Sequence, residues 1–140
     1  MATINSYLNF DGNTEEAFTF YKSVFGGEFI ILQRFKDTPD GNKLSHEDGE
    51  KVMHVSLAIG KGNILMATDF LESMGHTLVK GNNFSLSLNA ESKEEADILF
   101  AKLSDGAKIE MPLSDAFWGG YFGMLIDKFG IQWMVSFEKQ

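Results

Sequence analysis

The sequence contains the same order of predicted elements twice, namely a strand, a capped helix and three further strands. A helix is predicted after Asn13 and again after Ser92, because each of these residues precedes a glutamate by three positions, the spacing of a capping box. Behind each cap the apolar residues recur at helical spacing, and glycine ends both helices. The halves share this pattern rather than their residues, and the first half has an additional charged segment at 36–50, which we expect to be an exposed loop. Such a chain folds from two similar modules.

The predicted organisation is one domain over residues 1–140. Module one covers 1–68, a polar linker covers 69–82, and module two covers 83–140. Because each module has one helix and a small sheet, the helix covers only one face of that sheet. The other faces are expected to surround a shared concave surface, which is the usual form of a small-molecule site.

Strict alternation of side chains predicts which residues line the uncovered faces. In the strands 52–59 and 131–137 every second residue is apolar, and this apolar face is expected to lie under the helix. The candidate ligand-binding residues on the opposite face are His54 and Ser56 in the first strand, and Gln132 and Met134 in the second.

The composition excludes several classes of function. The formal net charge is −8, from 12 Lys+Arg and 20 Asp+Glu, which disfavours a nucleic-acid partner. The absence of Cys excludes disulfides, Cys-ligated zinc, iron–sulfur clusters and a thiol nucleophile. No apolar run approaches the roughly 20 residues of a membrane span, and the N-terminus lacks the pattern of a secretory signal. We therefore expect a cytoplasmic domain with no membrane partner.

Two features are candidates for ligand contact, and each has a structural alternative. In the segment 117–122, Trp118 and Tyr121 flank paired glycines and could contact a flat ligand, or the segment could be a hydrophobic plug over the core. His54 could act as a general base or a lone metal ligand, or it could be a hydrogen-bonded histidine within its strand.

Two aspartates are expected to have structural roles. Asp69, just after a predicted strand, could contact a ligand or cap the turn that follows it. Asp127 is expected to be exposed at a hairpin tip together with Lys128.

The repeated element order resembles that of the vicinal oxygen chelate superfamily, which includes glyoxalase and the bleomycin- and fosfomycin-resistance proteins. A closer resemblance is to its PhnB-like branch, also described as demethylubiquinone methyltransferase-like. The stretches that carry this resemblance are YLNFDGN (7–13), FY (20–21), FGG (25–27), KIEM (108–111), FW (117–118) and FGMLIDKFGIQWMV (122–135). The resemblance implies an α+β fold of paired βαβββ modules that form a curved, half-barrel-like mixed sheet with helices on the outer face. It also implies a homodimer, often with exchanged or shared sheet elements.

Metal-dependent members of that superfamily place one ligand, typically His or Glu, on each of four strands. The matching positions in this sequence are Asn5 or Ser6, then His54, Asn83 and Met134. An amide and a thioether are poor ligands for a hard or borderline divalent ion. We therefore predict no metal site. We also predict no cofactor, because the first strand enters its helix without the Gly-x-Gly cluster of a methyl-donor site.

Three functions follow as hypotheses. The first is a homodimeric protein that binds a small apolar or aromatic molecule in the concave cleft, without metal chemistry. The alternative is a divergent metal-dependent lyase, isomerase or dioxygenase centred on His54. A third possibility is an assembly role through paired edge strands. Whether the chain is an enzyme stays open at this point.

Overall fold

Two units, each with its own four-stranded sheet, make up the part of the chain that the structure describes. The structure is a computed structural model and describes residues 2–138. The first unit ends at Val79 and the second begins at Lys80, inside the segment predicted as a linker. None of the helices within residues 2–138 is both long and apolar enough to cross a membrane.

The first unit has the predicted order of a strand, a helix and three strands. Its elements are β1 (Ser6–Phe10), α1 (Thr14–Phe25), β2 (Glu28–Arg34), α2 (His46–Glu50), β3 (Val52–Ile59) and β4 (Asn63–Asp69). The strand order is β1-β4-β3-β2, in which β1 runs parallel to β4 and the other pairs are antiparallel. The segment 36–50 is not a simple exposed loop, because it contains the short helix α2 and buries Gly49.

Helix α1 packs on one face of this sheet. Its buried side chains follow the predicted helical stripe and include Phe18 and Tyr21. The ring of Phe18 meets the ring of Phe10 edge-on, with their centroids 6.3 Å apart. The register places Val55 opposite Ala67, and both are buried with Phe10 on this covered face. Alternate apolar residues of β3 were predicted to face the helix, and this is confirmed at Val55 and Leu57.

The start of α1 is capped by a distant residue rather than by Asn13. The Asn13 side chain makes no capping hydrogen bond, so the predicted capping box is wrong there. Instead, the buried carboxylate of Asp69 accepts hydrogen bonds from Thr14 N (3.0 Å) and Thr14 Oγ1 (2.6 Å). It also accepts one from Val52 N (2.8 Å). The capping role expected for Asp69 is thus directed at α1 and the start of β3, not at the turn after β4.

The second unit repeats the first without a counterpart of α2. Its elements are β5 (Leu86–Asn89), α3 (Lys93–Leu103), β6 (Lys108–Asp115), β7 (Tyr121–Ile126) and β8 (Gln132–Phe137). The strand order is β5-β8-β7-β6, with β5 parallel to β8. The α+β class and the repeated βαβββ order are therefore confirmed.

Local residues explain the ends of the second unit's elements. Ser92 caps α3 as predicted, because its hydroxyl accepts from Glu95 N at 3.0 Å. Pro112 lies in the edge strand β6, within the register irregularity between Met111 and Ser114, which is where a residue without an N–H is tolerated in a sheet. Asp127 is buried rather than exposed. Its carboxylate accepts from Phe129 N and from Trp133 Nε1, each at 2.8 Å, so it organises the β7–β8 turn.

Candidate functional site

Most of the uncharged polar side chains in the strands of the first sheet lie on the face opposite α1. The register pairs Ile31 with Ser56, Ser56 with Met66, and Met66 with Tyr7, which forms one row across all four strands. A second row begins with Gln33 of β2 opposite His54 of β3. Extending the β3–β4 register by one residue places His54 opposite Thr68, and Thr68 pairs with Asn9 of β1. We call this surface the open face of unit 1. Its members are Tyr7, Asn9, Ile31, Gln33, His54, Ser56, Met66 and Thr68.

His54 lies at the centre of this face and is held at both ring nitrogens. Its Nδ1 lies 3.2 Å from the Tyr7 hydroxyl, and its Nε2 lies 3.0 Å from Ser56 Oγ. The Tyr7 and His54 rings are stacked, with centroids 5.7 Å apart and an interplanar angle of 28°. The sequence therefore correctly placed His54 and Ser56 on one face, and the structure brings them into direct contact.

The two hydrogen bonds of the His54 imidazole determine which hydroxyl group donates and which accepts. A neutral imidazole has one donor and one acceptor nitrogen, whereas a hydroxyl can take either role. One hydroxyl therefore donates to the ring while the other accepts from it, and changing the tautomer reverses both roles. Burial raises the pKa of the Tyr7 phenol, and a hydrogen bond from the Thr68 side chain partly offsets this. Tyr7 consequently remains a neutral hydrogen-bonding group at ordinary pH.

The eight residues of these two rows include no Asp, Glu, Lys or Arg. This is notable in a chain with 20 acidic and 12 basic residues. The next row of the same face begins with Glu28 opposite Ala58, and the Glu28 carboxylate lies 3.4 Å from Lys22 Nζ. The two rows offer hydroxyl, amide and imidazole groups beside apolar Ile31 and Met66. Such a surface suits an uncharged ligand, because no fixed charge has to be desolvated when the ligand binds.

In the second unit, Gln132 and Met134 lie on the sheet face opposite α3, as predicted. The neighbouring residues Trp133 and Val135 are buried on the α3 side, which confirms the alternation. The side-chain amide of Gln132 donates to the carbonyl of Phe84, so part of its hydrogen-bonding capacity is already used.

Trp118 and Tyr121 do not share one environment. The half-exposed Trp118 ring lies 6.1 Å from the ring of Phe122 and against the backbone of Gly120, where a Cβ would come within 1.9 Å of the indole. Tyr121 pairs with Phe137 in a register that places its side chain on the α3 side of the sheet. Its hydroxyl donates to Asp97 of α3, and this carboxylate raises the Tyr121 pKa. Tyr121 is therefore engaged with the helix.

The residues at the expected metal-ligand positions do not fit a divalent ion. The register places Ser6 on the covered face with Leu65, whereas His54 is on the open face, so Ser6 cannot join His54. Asn5 precedes β1, and the positions in the second unit offer only an amide at Asn83 and a thioether at Met134. No group of three or more His, Asp or Glu side chains suited to a metal occurs within residues 2–138.

Six members of the open face were not predicted from the sequence, namely Tyr7, Asn9, Ile31, Gln33, Met66 and Thr68. The signal for the first two was present, because Leu8 and Phe10 alternate with them and are buried. Gln33 could not be assigned in the same way, since β2 has register shifts on both sides of the residues 31–33. These shifts change which side chains of β2 share a face.

A solved structure of another protein defines the class of fold. A glyoxalase/bleomycin resistance protein/dioxygenase family enzyme from Burkholderia phytofirmans aligns with 96% of this chain and 98% of its own, with a TM-score of 0.61 and 18% identity. At that identity the likeness concerns the fold alone. It agrees with the βαβββ repeat described above, and the chain therefore has the glyoxalase/bleomycin-resistance fold.

The narrower family follows from the sequence. A family model described as 3-demethylubiquinone-9 3-methyltransferase matches residues 2–136, and the chain belongs to this family. Protein PA1353 from Pseudomonas aeruginosa is 36% identical over the full length of both chains, with a TM-score of 0.86. A PhnB protein from Bacillus cereus, provisionally described as a 3-demethylubiquinone-9 3-methyltransferase, is 29% identical over 97% of this chain and 99% of its own, with a TM-score of 0.78. The predicted PhnB-like resemblance is thereby confirmed.

Proposed function

We propose that this chain binds a small, uncharged, planar molecule on the open face of unit 1. The single observation that carries the proposal is the stacked Tyr7–His54 pair within two rows that contain no charged side chain. Both rings are already fixed, Tyr7 by its contact with His54, and His54 by two hydroxyl groups. A site that is ordered before binding loses little side-chain entropy when the ligand arrives.

Apolar and polar groups on this face favour an aromatic compound with one or two oxygens. Ile31 and Met66 flank Ser56 in the same row and offer apolar contact, and the methionine thioether packs well against aromatic rings. Gln33 and Thr68 flank His54 in the other row and offer hydrogen bonds to a carbonyl or hydroxyl. The family description names a demethylubiquinone, and its oxygen-bearing planar ring belongs to this class of compound.

Binding rather than methyl transfer is the proposed role. β1 enters α1 through residues 11–13, which contain one glycine, and the sheets are not the doubly wound α/β type that commonly holds a methyl donor. Within the second unit, Gln132, Met134 and Trp118 stay predicted ligand contacts. Tyr121 is proposed to support the fold around them through Asp97.

The experiment is a calorimetric titration with matched aromatic compounds that differ only in charge. Phenol-type and quinone-type rings are compared with the corresponding benzoate-type anions and benzylamine-type cations. We expect the neutral compounds to bind and His54→Ala to weaken them about tenfold, which corresponds to roughly 1.4 kcal/mol. His46→Ala is the control, because His46 is an exposed histidine of the same unit. Equal binding by His54→Ala and the unsubstituted chain would refute the proposal.

A metal titration separates this proposal from the enzymatic alternative. Zn²⁺, Ni²⁺, Mn²⁺ and Fe²⁺ are added singly, and bound metal is measured by elemental analysis after gel filtration. Stoichiometric binding that His54→Ala abolishes would favour a metal-dependent enzyme centred on His54 instead. No stoichiometric metal, combined with retained binding of neutral rings, supports the binding role.

We also propose that the chain forms a homodimer without nucleic-acid or membrane partners. The edge strand β2 exposes Ile30 and Ile31, which are apolar side chains beside unpaired backbone groups. The net charge of −8 disfavours binding to phosphate-rich surfaces. Sedimentation equilibrium tests this proposal, and replacing both isoleucines by lysine is expected to shift the population towards the monomer.

A further inference from the structure

Three methionines lie in one row across the second sheet. The register pairs Met111 of β6 with Met124 of β7, and Met124 with Met134 of β8. Met124 and Met134 are half-buried, and Met111 is about half exposed. This row accounts for three of the seven methionines in the chain. We call it the methionine row.

The register places the three methionines side by side on adjacent strands. Adjacent strands of a sheet are separated by roughly 4.8 Å, and side chains opposite each other in register project from the same face. A methionine side chain has three rotatable bonds, so its sulfur can adjust its position by rotation without moving the backbone. The three thioethers can therefore converge on one point above β7.

Thioether sulfur is a soft ligand and selects soft cations. Among biological metals it favours Cu⁺ over Zn²⁺, Mn²⁺ or Mg²⁺, which require nitrogen or oxygen ligands. The surrounding positions on β7 and β8 of the same face are Phe122, Ile126, Gln132 and Ser136. Their partners on the outer strands are Lys108 and Ser114 of β6, and Met134 pairs with Ser87 of β5. None of these residues has a carboxylate that would recruit a hard ion. The thioether of Met134 was unsuited to a divalent ion, but it is suited to a monovalent soft ion.

We propose that the methionine row binds a soft monovalent metal ion, Cu⁺ or its analogue Ag⁺, through the sulfurs of Met111, Met124 and Met134. The site lies wholly within the second unit and does not involve His54. It has no residue in common with the open face of unit 1, and it shares Met134 with the ligand contacts predicted for the second unit.

The test uses the full chain labelled with ¹³C at the methionine methyl groups. Silver nitrate is added in chloride-free buffer, and the methyl resonances are followed by NMR. We expect the signals of Met111, Met124 and Met134 to shift together and to saturate at one equivalent of Ag⁺. The signals of Met66 and Met74 in the first unit are expected to stay in place.

Variants distinguish a three-sulfur site from single exposed methionines. Met124→Leu conserves volume and removes the central sulfur, and we expect it to weaken Ag⁺ binding at least about tenfold. Met134→Leu is expected to do the same, whereas Met74→Leu, at an exposed methionine of the first unit, should leave the binding unchanged. Competition with a Cu⁺ chelator under reducing conditions then shows whether Cu⁺ behaves as Ag⁺ does.

Two results would overturn the proposal. One is a shift of the Met74 methyl signal at the same Ag⁺ concentration as the row, which would show unspecific binding to accessible thioethers. The other is unchanged Ag⁺ affinity in Met124→Leu, confirmed as folded by circular dichroism. A saturable shift that is confined to the row, and is lost in both row variants, supports the site.

Discussion

The buried carboxylate of Asp69 provides the sharpest test of how the first unit is held together. It accepts hydrogen bonds from Thr14 N, Thr14 Oγ1 and Val52 N over distances of 2.6–3.0 Å. It thereby joins the end of β4 to the start of α1 and to the start of β3. In Asp69→Asn, the amide oxygen can still accept from Thr14, but the amide NH₂ group then faces the N–H of Val52.

The magnitude follows from these contacts. A hydrogen bond to a charged group contributes about 1.5–3 kcal/mol, and a buried N–H left without a partner costs about 1–3 kcal/mol. Part of this loss is offset because a neutral amide costs less to bury than a carboxylate. We expect Asp69→Asn to lower the free energy of unfolding by about 2–3 kcal/mol, which corresponds to a decrease in Tm of roughly 5–10 °C for a chain of this size.

The assay is urea unfolding followed by far-UV circular dichroism, because both tryptophans lie in the second unit and do not report on the first. Asp11→Asn is the matched control, since Asp11 is an exposed aspartate in the turn before α1, and it should change stability by less than about 0.5 kcal/mol. If Asp69→Asn were as stable as Asp11→Asn, the capping role assigned to Asp69 would be wrong.

Three further predictions concern stability. The Arg34 guanidinium forms a bidentate pair with Glu15 and lowers the pKa of that carboxyl. The pair therefore stabilises the fold above the ordinary pKa of glutamate, and this stabilisation is lost as the pH falls through the lowered pKa. Thermal unfolding should therefore show Glu15→Gln less stable than the unsubstituted chain by up to about 1 kcal/mol at pH 7, with no difference near pH 2. Ser92→Ala should lower the free energy of unfolding, measured in urea, by about 1 kcal/mol, because it removes the cap of α3. Asn13→Ala should lower it much less, because the Asn13 side chain makes no capping hydrogen bond. Equal losses in the two variants would contradict the observed caps. Gly123→Ala would place a Cβ atom 2.9 Å from the Phe100 ring of α3 and from the Leu113 Cα of β6. We expect calorimetry to show that the free energy of unfolding falls by about 1–3 kcal/mol. An unchanged Tm would contradict this prediction.

Local backbone geometry explains which features of the fold could be predicted from the sequence. Helices and strands were predictable because their periodicities of 3.6 and 2 residues are local properties of the backbone. Alternation in β3 was therefore sufficient to place His54 and Ser56 on one face, and alternation in β8 placed Gln132 and Met134 likewise. Ser92 was also recognisable, because its partner lies three residues away.

The cap of α1 could not be assigned from the sequence, because it depends on a residue that is distant in the chain. Asn13 and Ser92 have the same local spacing, yet Asp69, 55 positions from Thr14, takes over the cap of α1. Asp127 was expected to be exposed, but the turn after β7 folds back so that Phe129 N and Trp133 Nε1, two and six positions away, both donate to its carboxylate.

The sequence by itself determined the order of the elements and the face to which each central side chain belongs, because both depend on local backbone geometry. Only the tertiary structure decided which strands are neighbours and in what register they pair. That register brings Tyr7 to His54, 47 positions away, and aligns three methionines from separate strands. Both proposed sites therefore arise from strand pairing, because alternation assigns a side chain to a face but does not determine which residue of another strand lies beside it.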